Sequence, residues 1–375
     1  MQYDLVFEGG GAKGGAFTGA IRAFERRGYT VGRVIGSSAG SIVAVLIAAG
    51  YDAAACQHAL EQKLPDGRSV FASFLDTPNL DADDQMSAGL RSWLITELDN
   101  PALPNSIEPV VDRLMDGLVS KELVRHLLSL LLWGGWYSGK AFRSWLRDRL
   151  DQDGRGLADA TLLEFYQKTG SDFSAVAADV TGREMLVLNH RTAPECPIVW
   201  AVRMSMGCPF AWPEVVWHAE WGPYRGRDLT GHRVVDGGLL SNFPIRLFVS
   251  SDENIDQIMG ENSISDQVIG LLIDETLPVP GVDEPLKHTS AAKGILEHLD
   301  LLQESVWRIQ GLADTVLGGH DRTVLAAYEH MVCRLPAKAI GTLDFDMPPE
   351  RMSALVAAGE TAMYAYLDAL ENRHN

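Results

Sequence analysis

Cysteine is scarce in this chain. Four residues in 375 (Cys56, Cys196, Cys208 and Cys333) include no CxxC pair, which excludes a disulfide-stapled scaffold, and no histidine cluster has metal-ligand spacing. Such thiols are read as reduced, mostly buried small hydrophobes. Positive charge is also short, 32 Lys+Arg against 50 Asp+Glu for a net charge of −18. Broad nucleic-acid binding needs a basic footprint to displace counterions, so no nucleic-acid partner is expected. No window approaches the ~20 apolar residues of a membrane span. The start, Met1-Gln2-Tyr3-Asp4-Leu5-Val6-Phe7, lacks the basic and long apolar regions of a signal peptide. The expected address is therefore the cytoplasm. What is present, 46% apolar and 22% charged residues, is the balance of a globular protein with ample core.

Residues 3–7 read as a short buried strand, followed by glycines and a helical stretch over about 14–27 in which Phe17, Ala20, Ile21 and Phe24 recur at helix spacing. A second strand is expected over 31–35, then Gly36-Ser37-Ser38-Ala39-Gly40 and a very apolar helix over 41–49 that Gly50 ends. Strand–helix–strand–helix is the mark of a parallel sheet with right-handed crossovers. Residues 51–170 are mostly helical in pattern and read as an insertion or cap, broken by Pro65-Asp66-Gly67, a polar run over 81–85, Pro101 and Pro104. Strands are expected again over 173–178, 185–188, 234–235 and 268–273, and helices over 291–317 and 350–372. The last has Met352, Leu355, Val356, Met363, Tyr366, Leu367 and Leu370 on one face.

Three constellations could carry chemistry. Gly9-Gly10-Gly11-Ala12-Lys13-Gly14-Gly15 stands between a strand and a helix. Its glycines turn the backbone sharply and leave N–H groups, beside a positive helix end, free for negative charge. Gly9, Gly11 and Gly14 also fit GxGxxG, but a dinucleotide site wants an acidic residue at the end of the second strand, and that strand ends in Gly36-Ser37-Ser38. No Ser or Thr follows the lysine as a Walker loop requires.

Gly36-Ser37-Ser38-Ala39-Gly40 matches GxSxG between a strand and a helix, the setting of a serine held on a tight elbow, although a Gly/Ser-rich turn without chemistry is the plain alternative. A serine needs a base. His288, His298, His320 and His330 are candidates for a Ser–Asp/Glu–His arrangement, but none follows a strand in a glycine-rich turn, and only two strands precede the serine. The third constellation is Asp236-Gly237-Gly238 at the end of the apolar run Val234-Val235. A carboxylate there could reach a serine from a neighbouring strand, and desolvation makes a carboxylate a better base. An Asp-Gly turn is the commoner meaning of the dipeptide.

The three motifs in this order resemble the patatin-like phospholipase family. Gly9-Gly10-Gly11-Ala12-Lys13-Gly14 is similar to its oxyanion loop, Gly36–Gly40 to its nucleophile elbow with Ser38 as nucleophile, and Asp236-Gly237-Gly238 to its dyad-aspartate loop. Ala178-Asp179-Val180-Thr181-Gly182 and Arg203-x-Ser205-x-x-x-Pro209 are weaker likenesses. The resemblance covers residues 3–250 at intervals, and 51–170 only loosely.

It implies an α/β, three-layer patatin-like fold, with a mostly parallel central sheet flanked by helices and a helical insertion or cap. A single domain over 1–375 is implied, with core motifs in 3–50 and 173–275 and a C-terminal helical part over about 290–375. It implies a serine lipid acyl hydrolase of phospholipase A or lysophospholipase type, acting through a Ser38–Asp236 dyad without histidine, cofactor or metal. Gly9, Gly10, Gly11, Lys13 and Gly14 would form the oxyanion hole. Lys13 would orient that loop, attract a phosphate headgroup, or be merely a solvated charge. A silent lipid- or protein-binding scaffold and an acyltransferase on the same dyad are the alternatives.

The implied partner is a phospholipid or lysophospholipid at a membrane surface, with peripheral attachment there and an activating ligand or protein as further options; the oligomeric state is left open. The run Leu127-Leu128-Ser129-Leu130-Leu131-Leu132-Trp133-Gly134-Gly135-Trp136-Tyr137 reads as a core helix before it reads as a lid. The helix over 140–150, with Arg143, Arg147 and Arg149, reads as an ordinary exposed helix before it reads as a lipid-touching one.

Overall fold

A computed structural model describes residues 1–78, 126, 129–130, 133–250, 253–260, 265–286, 326–342 and 344–374. The helix expected over 291–317, the run over 81–85, Pro101, Pro104, and His288, His298 and His320 lie outside the described residues.

The chain opens with β1 (Gln2–Phe7), α1 (Gly15–Arg26), β2 (Thr30–Ser37), α2 (Ala39–Ala48) and α3 (Ala53–Glu61). Two helices, α4 (Lys140–Asp151) and α5 (Leu162–Thr169), precede β3 (Phe173–Asp179) and β4 (Glu184–Leu188). Then come α6 (Ile198–Ser205), β5 (Val215–Val216), β6 (Arg233–Asp236), α7 (Arg246–Val249), α8 (Glu253–Met259), β7 (Val268–Pro278), β8 (Val332–Lys338) and α9 (Pro349–His374). Among the described residues, eight strands form one sheet, paired in the order β5-β6-β3-β2-β1-β7-β8, with β4 pairing β3 off this path. The pairs β1–β2, β1–β7, β2–β3 and β7–β8 are parallel. The C-terminal part, expected to be helical, thus also holds strand β8. Arg334 and Pro336 interrupt its apolar pattern, and only pairing with β7 makes it a strand.

Alternation along the strands builds three layers. Leu5, Phe7, Ala175 and Ala177 pack on the face covered by Phe17, Ile21 and Phe24 of α1 and by α2. Val6, Ile35 and Val176 pack on the other face, against Phe243, Phe248, Ile255 and Ile258. Helix α2 is apolar nearly all round because it lies buried behind the serine turn. The last helix closes on the first through glycine. A Cβ on Gly19 would lie 1.9 Å from the Val356 carbonyl oxygen, and one on Gly359 2.2 Å from that of Ala16. Gly19→Ala should therefore force the two helices apart and cost about 1–3 kcal/mol, read from a denaturant titration.

The register of β3 decides the geometry of the site. Val176 pairs with Ser37 of β2, and the next residue, Ala177, pairs with Asp236 of β6. β4 pairs with both, through Val187 and Leu186, so it takes one edge of β3. β2 and β6 must then share the other edge, meeting end to end at their C-termini.

Candidate active site

Ser38 joins β2 to α2 with φ +50° and ψ −124°, a backbone conformation that L-residues with a side chain rarely hold. The flanking glycines are required sterically. A Cβ on Gly36 would lie 2.3 Å from the Gly40 carbonyl carbon, and one on Gly40 2.4 Å from the Phe7 carbonyl oxygen. Ser41 Oγ donates to the Ser38 carbonyl at 2.6 Å, and the Ser38 N–H donates to Oγ of buried Ser205 at 3.2 Å. Ser205→Ala would strand that N–H without an acceptor. It should lower stability by about 1–3 kcal/mol, seen as a lower melting temperature, and loosen the turn.

The shared edge of β3 brings Asp236 to the same point from 198 residues away, and Ser38 Oγ donates to Asp236 Oδ2 at 2.8 Å. The aspartate stands not on a strand paired with β2 but on one that continues β2's lane along β3. Oδ1 accepts the Gly238 N–H at 2.8 Å, and the Asp236 N–H donates to the Gly207 carbonyl at 3.0 Å. The Asp-Gly turn and the serine contact therefore coexist, one on each carboxylate oxygen. Asp236 is 7% exposed. A Cβ on Gly237 would lie 2.2 Å from the Val176 carbonyl oxygen, so only glycine lets the chain leave β6 this close to β3.

The glycine loop abuts the serine, since a Cβ on Gly9 would come within 3.1 Å of Ser38 Cβ and 2.2 Å of Asn242 Oδ1. Asn242 ties the two loops together. Its carbonyl accepts the Gly9 N–H at 3.0 Å and its Nδ2 donates to the Gly9 carbonyl at 3.0 Å. Among the described residues, the N–H groups of Gly10 and Gly11 have no acceptor. Those of Gly9 and Lys13 are engaged, the latter with the Gly10 carbonyl at 3.2 Å, so these two residues of the expected amide ring have no backbone donor to offer. Gly14 ends the short 3-10 turn Gly11–Gly14 that leads into α1. Lys13 is not a solvated charge. It is 4% exposed, and its ammonium meets Glu275 and Thr342 Oγ1.

These groups open into a cavity of about 610 Å³, lined further by Ile42, Leu60, Phe71, Phe74, Trp212 and Leu239. Its size and apolar wall suit a hydrocarbon chain with one polar head at the serine. No histidine lines it among the described residues, His330 included. Behind it, Arg203 is buried with Nη2 donating to the Pro213 carbonyl at 3.1 Å. Burial first, then Arg143, pushes its ionisation down to about 10, so it remains charged at neutral pH, within electrostatic reach of Asp76 and Asp236.

The apolar run expected as a core helix is described only in part, and its residues 134–137 form bends and a bridge rather than a helix. Trp136 is buried, its N–H donating to the Phe210 carbonyl at 2.8 Å. Leu127, Leu128, Leu131 and Leu132 of the same run lie outside the described residues. On α4, Arg143 stacks over Trp200 at 4.2 Å and Arg147 pairs with Asp159 at 2.7 Å. Cys56, Cys196 and Cys333 are buried, and burial pushes the last thiol up to about 12, while Cys208 is half-buried at the cavity wall. No helix among the described residues is long and apolar enough to cross a membrane.

Sequence reading did not find Ser205 as a partner of Ser38 outside the family likeness, nor Asn242, Glu275 or Thr342. Asn242 follows the Asp-Gly-Gly run closely enough to have been a candidate. Glu275 and Thr342 carry no local signal, because they reach the loop only through the pairing of β7 with β1 and the turn after β8.

A family model described as patatin-like phospholipase matches residues 5–249. An uncharacterized protein of Bacillus subtilis, YqhO, is 26% identical over 374 residues, covering 98% of both chains. Among solved structures, VipD from Legionella pneumophila is similar with a TM-score of 0.46 at 16% identity, over 98% of this chain and 67% of that one. The type III effector ExoU gives 0.39 at 18% identity, over 98% of this chain and 53% of that one.

Proposed function

The chain belongs to the patatin-like phospholipase family, and on that premise we propose that it is a serine lipid acyl hydrolase acting through Ser38 and Asp236. The observation that carries this reading is the 2.8 Å hydrogen bond from Ser38 Oγ to Asp236 Oδ2, in the wall of a largely apolar cavity. Asp236 accepts the serine proton as Oγ attacks the ester carbonyl carbon. Charge moves onto the carbonyl oxygen, where the unengaged N–H groups of Gly10 and Gly11 stabilise it; such a donor is worth roughly 3–4 kcal/mol in the transition state. Collapse breaks the ester C–O bond, and the leaving alkoxide takes the proton from Asp236. Water then attacks the acyl-enzyme carbonyl, giving a proton to Asp236; the Ser38 Oγ–acyl bond breaks, Asp236 returns that proton to Oγ, and the fatty acid leaves.

The cavity supports a long-chain acyl ester of a phospholipid or lysophospholipid as substrate, and the proposed setting is a membrane surface met from the cytoplasm. The whole chain is proposed to act as one patatin-like domain, since β7 and β8 extend the same sheet. Purified protein assayed on a lipid panel, with Ser38→Ala beside it, tests the reading. Release of free fatty acid that depends on Ser38 supports it. Lipid binding without hydrolysis would instead indicate a silent scaffold, and acyl esters formed on added alcohols would indicate a transferase.

A further inference from the structure

We infer that Thr342 and Glu275, acting through Lys13, are positioning residues for the Gly10–Gly11 amides, so that the segment beyond the family match completes the active site. The inference rests on the hydrolase reading above. A loop of glycines has many backbone states, and two unengaged N–H groups do not hold themselves in place. Electrostatic stabilisation of a transition state needs donors fixed before the charge appears.

Three ties supply that fixing here. The Ala12 N–H donates to the Thr342 carbonyl at 2.8 Å, Lys13 Nζ donates to Thr342 Oγ1 at 2.8 Å, and Lys13 forms an ion pair with Glu275. The Thr342 carbonyl also fills the space beside Gly11, where a Cβ would lie 2.1 Å away, and Gly11 holds φ +56° against it. On the other side, Glu8 Oε2 accepts the Ile273 N–H at 2.6 Å, so β7 grips both ends of the loop. Residues 273, 275 and 342 all lie past residue 249, where the family match ends.

Thr342→Val keeps the shape and the backbone contacts and removes only the Oγ1 acceptor. Misplaced amides act on the transition state more than on the bound ester. kcat should therefore fall on the order of 10- to 100-fold with KM changed less than about twofold. Thr342→Ser, which keeps the hydroxyl, should restore kcat. Glu275→Gln should lower kcat in the same sense, and the Glu275 side chain is exposed enough (67%) that folding is not at stake if the valine variant fails to fold.

A valine variant with unchanged kcat would overturn the inference. So would a serine variant as impaired as the valine one, a rise in KM matching the loss of kcat, or, should the valine variant not fold, a Glu275→Gln protein of full activity. Fluorophosphonate labelling of the wild type separates the two levels. If wild-type Ser38 is labelled and the variants label equally fast, only the positioning role fails. If wild-type Ser38 is not labelled, the hydrolase reading fails and the positioning role with it.

Discussion

Ser38→Ala is expected to reduce ester hydrolysis by about 10⁴-fold or more, as removal of a nucleophile does elsewhere. Ser41 and Ser37 cannot take over. Ser41 Oγ is bonded to the Ser38 carbonyl, and Ser37 is fully buried. Only the residue on the strained turn projects toward Asp236 and the cavity. Alanine keeps Cβ and leaves the contacts of Gly36 and Gly40 untouched, so the melting temperature should move by no more than a few degrees. Loss of activity together with loss of folding would point to a structural role for this hydroxyl.

Asp236→Asn should cost about as much, on the order of 10⁴-fold in kcat, because the change inverts one hydrogen bond. The Gly238 N–H at 2.8 Å requires an acceptor on the Oδ1 side, which directs the amide nitrogen of asparagine toward Ser38 Oγ. An NH₂ group there donates and cannot receive the serine proton. The turn after β6 survives, since its acceptor is retained. KM should change little, because the acyl cavity is lined by residues the substitution leaves in place. An asparagine variant retaining more than about a tenth of wild-type kcat would require a different base.

The local grammar of the chain was readable where one segment carries its own pattern. Phe17, Ala20, Ile21 and Phe24 mark α1, and Gly50, at positive φ, stands just past the end of α2 as expected. The GxSxG glycines were legible because their reason is local crowding against β1 and the turn itself. β8 was not, since Arg334 and Pro336 break its alternation and its pairing with β7 is a contact across distant sequence. The approach of Ser38 to Asp236 could be suspected from the motifs. Its cause, two strands sharing one edge of β3, is a matter of register that no short motif encodes. Thr342 and Glu275 were invisible for the same reason. An ordinary threonine and an ordinary surface glutamate become partners of Lys13 only when β7 lies beside β1.

The account turns on proton sharing between Ser38 and Asp236, and the rate and location of covalent capture test it directly. Wild type, Ser38→Ala and Asp236→Asn would be incubated with a fluorophosphonate and followed by intact mass, then peptide mapping. A single adduct on Ser38 in the wild type, absent from the alanine variant and at least about 100-fold slower in the asparagine variant, is the predicted result. An adduct on another residue, or on Ser38 at the same rate in the asparagine variant, would contradict it.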